Sequence, residues 1–143
     1  MTRCLNLTKT GEYAIAALSR LALDRGAPVS TALLAERQRV PGPFLVKILS
    51  QCARAGLVAI TRGASGGVAL AREPEKITLL EVIEACEGTL RRGLCVFFKE
   101  RACAGPDCEV YCPLREEEER LRGRLASIPL SRMAGALSVH PNL

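Results

Sequence analysis

Four of the seven cysteines of this chain lie close together in its second half. They are Cys95, Cys103, Cys108 and Cys112, within the stretch CVFFKERACAGPDCEVYC. Thiolate sulfurs are soft ligands that suit iron–sulfur clusters, zinc or copper(I), and four of them can complete a ligand shell without other residues. Paired C-x2-C motifs, which would indicate structural zinc, are absent from this stretch. The residues alone leave open an iron–sulfur cluster, zinc, and reduced thiols without a ligand.

The last of these cysteines, Cys112, immediately precedes Pro113 and the helical run PLREEEERLRGRL. Proline is favoured at the first position of a helix, so we predict a long helix from Pro113 to about Ser127. Cys112 should then lie at the helix N-terminus, where the helix dipole stabilises a thiolate and therefore favours metal ligation.

The predicted long helix also carries charged pairs and a sparse apolar stripe. Glu116 with Arg120 and Glu118 with Arg122 have the i,i+4 spacing of stabilising ion pairs. The apolar positions are Leu114, Leu121, Leu125 and Ile128. Such a stripe is suited to packing against a second copy of the chain. Pro129 should end the helix, and the residues after it add at most a short helical turn.

The composition limits the class of protein. With 143 residues and 48% hydrophobic residues the chain can form one domain with a core, and without Trp its interior must be filled by Ala and Leu, which favours helices. No apolar run reaches the length of a membrane span, and the first residues lack the apolar region of a signal peptide. We therefore expect a cytoplasmic protein with free or metal-bound thiols. A net charge of +5 favours an anionic partner.

An enzymatic function is disfavoured. The sequence contains a single histidine, His140, and no phosphate-binding motif or candidate general base. A redox catalyst is also disfavoured because no C-x-x-C pair is present.

Three helices are predicted in the first part of the chain. Thr8 should cap the first, and the DRGAP stretch at 24–28 ends it. Ser30 should cap the second, which runs to about Gln38 with Leu33 and Leu34 facing inward. The third is predicted to have Gly42 at its cap and Pro43 at its first position, and Gly56 should end it.

A β-hairpin and a fourth helix are predicted to follow. The β-prone runs LVAIT and VALA are joined by RGASGG. Thr78 and Glu81 then have the spacing of a capping box for a helix that ends near Gly88. Cys52 in the third helix and Cys86 in the fourth fall on apolar faces, which is typical of small core residues.

The order helix, helix, helix, hairpin is typical of a winged helix-turn-helix, although an unrelated α+β domain could share it. In the winged fold the third helix enters the major groove and the hairpin contacts the DNA backbone. The predicted DNA-binding residues are Ser30, Pro43, Val46, Lys47, Ser50, Arg54, Arg62 and Ser65. The cations would contact phosphates or bases, and Val46 could contact a thymine methyl group. Arg54 and Arg62 are equally compatible with solvated surface charges.

The stretches GEYAIAALSRLAL, VPGPFLVKILSQCARAGLVAITRGASGGVALAR, ITLLEVIEACEG and CPLREE occur here in that order. In this order they resemble the bacterial IscR/NsrR-type family of winged-helix transcription regulators, from about Leu7 to Arg115. The resemblance implies a homodimer that binds a pseudo-palindromic DNA operator, and a [2Fe-2S] or [4Fe-4S] iron–sulfur cluster held by the loop cysteines ahead of a long dimerisation helix. Arg115 stands where some relatives place a histidine.

These observations predict a mainly α fold with a small β-hairpin (α+β), built as a winged helix-turn-helix domain plus a long C-terminal dimerisation helix. The predicted divisions are 1–88 for DNA binding, 89–112 for the cysteine loop, and 113–143 for the dimerisation helix and tail. The predicted function is a DNA-binding regulator, a repressor, whose operator affinity responds through the cluster to redox state, nitric oxide or iron. The alternatives are a winged-helix regulator with zinc or regulatory disulfides in the loop, and a winged-helix protein-interaction module.

Overall fold

This computed structural model describes residues 7–24, 26–63, 65–89, 105, 108 and 111–139, and for 111–114 and 137–139 it describes the backbone alone. Within these residues the chain folds into six helices and one two-stranded antiparallel sheet. The helices are α1 (Lys9–Leu23), α2 (Thr31–Gln38), α3 (Gly42–Arg54), α4 (Leu79–Glu87), α5 (Tyr111–Ala126) and α6 (Leu130–Val139). The strands are β1 (Val58–Thr61) and β2 (Gly67–Leu70), and a short 3-10 turn covers Pro74–Lys76. The predicted mainly α fold with a small hairpin is confirmed.

Three side-chain caps start helices where the sequence predicted them. The Ser30 hydroxyl accepts a hydrogen bond from the backbone N–H of Leu33 at 3.1 Å, and Thr8 caps α1 in the same way. At α4 the capping box is complete, because the Glu81 carboxylate also accepts from the backbone N–H of Thr78 at 2.8 Å. These bonds satisfy N–H groups that the first turn of a helix otherwise leaves unpaired.

The two central helices end with a residue in the left-handed conformation. At the end of α3 this residue is Gly56, with φ of +70°. At the end of α2 it is Arg39, with φ of +53°, and the backbone N–H of Val40 donates to the Ala35 carbonyl at 3.0 Å. Arg39 is the one non-glycine residue with positive φ in the ranges that the structure describes. This closure makes the tight turn between α2 and α3.

Two details of α2 and α3 differ from the predictions. Leu33 is 40% exposed, whereas its neighbour Leu34 is fully buried. The reason is the helical period: Leu34 and Ala35 form the inward face of α2, and Leu33 falls outside it. Pro43 occupies the second position of α3 and not the predicted first position, because Pro41 is the cap residue and Gly42 begins the helix.

The C-terminal helices depart further from the predictions. Helix α5 begins at Tyr111, two residues before Pro113, so Cys112 lies inside its first turn. Beyond Pro129 the chain forms the ten-residue helix α6 instead of a short turn. Leu130 at its start is fully buried, and α6 packs against α1. The final helix thus belongs to the hydrophobic core of the chain.

The predicted i,i+4 ion pairs of α5 are replaced by other pairs. Arg120 pairs with Glu117 one turn earlier, and Arg122 reaches across to Glu84 of α4. Leu125, predicted to face a second copy, is buried against α4 of the same chain, while Leu121 remains 38% exposed. Arg122 and Leu125 contact α4 because the second half of α5 packs on that helix.

The core lies beneath α3 and the hairpin. It contains four residues of α1 that are at most 1% exposed, namely Ala14, Ala17, Leu18 and Leu21. Because two of these are alanines, neighbouring helices can approach α1 closely. Leu45, Ile48, Leu49 and Cys52 of α3 pack into the same cluster. Burial of these side chains fixes which face of α3 points into solvent.

A backbone bridge joins the hairpin to the start of α2. Val29 donates to the Val68 carbonyl at 2.9 Å, and Val68 donates back to the Val29 carbonyl at 2.8 Å. Gly67 sits against this bridge, since a Cβ on it would lie 2.6 Å from the Val29 carbonyl oxygen. The close approach requires glycine at this position.

We predict that Gly67→Ala lowers the free energy of unfolding by about 1–3 kcal/mol, because the added methyl group must push the Val29 backbone away. Urea unfolding followed by circular dichroism measures this change. Gly123→Ala is the matched control, since a Cβ at the exposed Gly123 in the interior of α5 meets nothing within 4 Å, and its stability should equal or exceed that of the parent. Equal stability of both variants would contradict the close approach at Gly67.

Candidate nucleic-acid surface and cysteine segment

Helix α3 presents one polar and basic face to solvent. Val46 is 51% exposed, and Lys47 and Arg54 are also exposed, while Leu45, Ile48, Leu49 and Cys52 are buried on the opposite side. The exposed Pro43 lies at the start of this helix. The structure therefore places these four predicted DNA-contact residues of α3 on its accessible surface.

Among the described residues, the cations of α3 and the hairpin turn have no acidic partner. Lys47, Arg54 and Arg62 form no ion pair within the part of the chain that the structure describes. Ser50 differs, because it is half-buried and its hydroxyl donates to the Val46 carbonyl at 2.8 Å. Its proton is already used inside the helix, so Ser50 is a weaker candidate for binding an anion than the three cations.

The charge of the chain is concentrated around α3 and the hairpin. The segment 37–72 contains no acidic residue, and its cations are Arg37, Arg39, Lys47, Arg54, Arg62 and Arg72. Because the net charge of the whole chain is +5, the rest of the chain has a net charge of −1. Such an asymmetry attracts a polyanion to one face of a molecule.

Sequence reasoning missed one exposed cation of this segment that forms no ion pair with a described residue. Arg39 lies exposed in the turn between α2 and α3, whereas its neighbour Arg37 pairs with Asp24 at 3.5 Å. The absence of acids from the segment was visible in the sequence and could have drawn attention to Arg39. Its exposure depends on the left-handed turn, which the sequence did not predict.

The hairpin carries the remaining predicted contacts. Arg62 follows β1 directly, Ser65 lies in the connecting turn, and both are exposed. Gly66 permits this turn, since a side chain there would collide with the Thr61 carbonyl. Ser30 is exposed next to the backbone bridge described above, so the start of α2 and the base of the hairpin lie side by side.

The cysteine segment is described in part. Cys108 is a half-buried free thiol, and its backbone N–H donates to the Gly105 carbonyl at 3.1 Å, which closes a turn. Cys112 is the second residue of α5. Cys95 and Cys103 lie outside the described residues, as does His140.

The donors present in this segment fit an iron–sulfur or thiolate-bound metal group. Cys108 is not committed to another cysteine, and Cys112 lies in a first helical turn, where N–H groups and the helix dipole stabilise a thiolate. Within the described residues, no three His, Cys, Asp or Glu side chains converge on one point. The ligand set of four cysteines stays a prediction.

The structure also brings together Cys52 and Cys86, which the sequence suggested only as separate core residues. Cys52 of α3 is fully buried and Cys86 of α4 is half-buried, and their sulfur atoms lie 3.9 Å apart. The hydrogen bond between the two sulfur atoms, in which either thiol can be the donor, lowers the pKa of Cys86. The same bond, together with burial, raises the pKa of Cys52.

None of the described helices is both long enough and apolar enough to span a bilayer.

Comparison with known families gives one match over nearly the whole chain. The Rrf2 family, described as "Iron-dependent Transcriptional regulator", matches residues 7–136.

Individual relatives and a solved structure agree with this match. An HTH-type transcriptional regulator of Synechocystis is 43% identical over 88 residues, which span 60% of this chain and 59% of that protein. The HTH-type transcriptional regulator IscR of Xenorhabdus nematophila is 32% identical over 130 residues, covering 90% of this chain and 79% of the relative. The solved structure of T. potens IscR superposes with a TM-score of 0.71 at 29% identity, covering 98% of this chain and 93% of that one.

We predict opposite effects for two neighbouring substitutions in α3. Lys47→Ala should change the free energy of unfolding by less than about 0.5 kcal/mol, because an exposed side chain without an ion pair is removed. Ile48→Ala should cost about 2–5 kcal/mol, because it opens a cavity in the core. Urea unfolding of both variants measures the difference. A large loss of stability in Lys47→Ala would contradict the outward orientation of this face.

Proposed function

Since this chain belongs to the Rrf2 family of transcriptional regulators, we propose that it is a repressor that binds a pseudo-palindromic DNA operator as a homodimer, with an affinity set by an iron–sulfur cluster. The observation that carries the DNA-binding part is the exposed face of α3, on which Lys47 and Arg54 have no acidic partner in the described structure. The alternative of a protein-interaction module does not explain a segment of 36 residues, 37–72, without an acid.

In the proposed complex, α3 enters the major groove. Lys47 and Arg54 contact phosphates or base edges, and Val46 offers an apolar surface to a thymine methyl group. Arg62 and Ser65 of the hairpin lie along the neighbouring backbone. Two further contacts come from the α2 side. They are Arg39 in the turn and the N-terminus of α2 at Ser30, where backbone N–H groups favour a phosphate.

A dimer is proposed because one copy of α3 offers too little surface for specific binding. Exposed Leu121 of α5 supports this helix as the contact between copies. Leu125 is excluded from that contact, since it is buried against Leu79 and Ile83 of its own chain. The proposed interface is therefore centred on Leu121 and does not include Leu125.

The proposed ligands of the cluster are Cys95, Cys103, Cys108 and Cys112. When bound, an iron–sulfur cluster supplies iron that reacts with oxidants and nitric oxide. Cys112 would hold its share of the ligand shell from the first turn of α5, and Cys108 from the turn closed by Gly105. Cluster binding by these two residues would thus link the conformation of the 95–112 segment to the position of α5.

A packed path leads from α5 to the DNA-facing helix. Leu125 packs on Ile83 of α4, and Arg122 pairs with Glu84 of the same helix. Helix α4 in turn packs against α3, where Cys86 meets Cys52. A displacement of α5 would move α4 and change the placement of α3. A coupling of about 1–3 kcal/mol along this path would be enough for regulation.

The DNA-binding proposal predicts a specific loss in Lys47→Ala. Binding to a duplex enriched by the parent protein from a random library should weaken, and the slope of log affinity against log salt should fall by about 1, because one phosphate contact is lost. Fluorescence anisotropy at several salt concentrations measures both quantities.

Lys76→Ala is the matched control, because Lys76 is exposed but pairs with Glu73 at 2.8 Å outside α3 and the hairpin. Its affinity and salt slope should equal those of the parent. If both variants bind as the parent does, α3 is not the DNA-binding helix.

The cluster proposal predicts that protein reconstituted without oxygen shows thiolate-to-iron absorption in the visible range and contains iron. Cys112→Ala should lose both signals, since one ligand is removed. Cys86→Ala, a cysteine outside the segment, should keep both. Iron and zinc analysis of the same samples separates the two metals. Zinc in place of iron, or a full complement of iron in Cys112→Ala, would contradict the assignment.

A further inference from the structure

Two cysteines outside the 95–112 segment lie in direct contact across two helices. The sulfur atoms of Cys52 and Cys86 are 3.9 Å apart. A disulfide bond is about 2.05 Å long, so rotation of the side chains or a small approach of the helices would be needed to form it. The two residues are 34 positions apart in the chain and belong to α3 and α4.

The two thiols have unequal surroundings. Cys52 is fully buried, whereas Cys86 is half-buried, so a small reagent would approach the pair from the Cys86 side. Hydrogen bonding with Cys52 favours the thiolate form of Cys86 and lowers its pKa, although burial and the neighbouring Glu87 carboxylate oppose this effect. Thiol–disulfide exchange proceeds through the thiolate, so Cys86 is suited to attack and Cys52 to react second.

We propose that Cys52 and Cys86 form a redox-modification site, separate from the proposed cluster ligands, at which a small-molecule disulfide oxidises the pair to an intramolecular disulfide. The contact between the two sulfur atoms and the access to Cys86 carry this inference.

The reaction has two exchange steps. The Cys86 thiolate attacks one sulfur of the small-molecule disulfide, whose S–S bond breaks and releases one thiolate. The Cys52 sulfur, losing its proton, then attacks the Cys86 sulfur of this mixed disulfide and releases the second thiolate. The protein loses two electrons and two protons, and the small-molecule disulfide is reduced to two thiols.

The new bond would join the DNA-facing helix α3 covalently to α4. Closing the sulfur atoms from 3.9 Å to bonding distance must shift one helix relative to the other or change side-chain packing at the base of α3. The effect on DNA binding rests on the proposed function, whereas formation of the disulfide does not.

Peptide mapping tests the disulfide directly. The full-length protein is treated with oxidised glutathione under native conditions, alkylated with iodoacetamide and digested with trypsin. Cleavage after Lys47 and Arg54 releases peptide 48–54, and cleavage after Lys76 and Arg91 releases peptide 77–91. Each of these peptides contains one cysteine, so a linked 48–54/77–91 species identifies the Cys52–Cys86 bond. We expect this species to form and to disappear after treatment with a reducing agent.

Two variants serve as controls. Cys86→Ala should abolish the linked species, and Cys52→Ala should leave Cys86 as a mixed disulfide with glutathione, because no second thiol is in contact. Circular dichroism checks that each variant is folded, and the parent and Cys86→Ala decide the question if Cys52→Ala does not fold. Two results would overturn the proposal: peptides 48–54 and 77–91 remain alkylated separately, or the link forms only in urea.

A separate measurement addresses DNA binding. The affinity of the oxidised parent for the enriched duplex should differ from that of the reduced protein by about five-fold or more, and this difference should be absent in Cys86→Ala. If the reduced protein enriches no duplex from the library, the proposed function fails while the linked peptide stands. If the duplex is bound but no linked peptide forms, the redox site fails alone.

Discussion

The pair of backbone hydrogen bonds between Val29 and Val68 is the interaction on which the arrangement of the basic surface depends. It joins the residue before the N-cap of α2 to the second strand of the hairpin, so α2, α3 and β1 lie within one closed stretch of chain. The acid-free segment from 37 to 72 falls almost entirely inside this stretch. Because the apolar side of α3 is buried against α1, the cations on its opposite side face solvent.

Much of this architecture could be predicted because its signals are local. A hydroxyl or carboxylate at Ser30 or Thr78 acts on N–H groups within one helical turn, so sequence spacing alone predicted those helix starts. The two faces of α3 followed from its apolar period. The resemblance to IscR/NsrR-type regulators is confirmed by the Rrf2 match and the IscR relatives.

Other features could not be predicted because they depend on contacts between distant residues. Arg122 had suitable acids one turn away in α5, yet it pairs with Glu84 because α5 packs on α4. The residues after Pro129 form α6, and Leu130 at its start is buried in the core. No pattern within these residues alone indicates that contact. The contact of Cys52 with Cys86 likewise requires the packing of α3 on α4. For the cysteines from 95 to 112, the sequence supplies the ligand types, and their assignment stays a prediction.

The left-handed backbone of Arg39 has an energetic consequence. Glycine would adopt φ of +53° without strain, whereas a residue with a Cβ loses roughly 1–2 kcal/mol there. A chain selected for thermal robustness alone would favour glycine at this corner. At this corner arginine therefore places an exposed guanidinium beside α3 at a conformational cost that glycine would avoid.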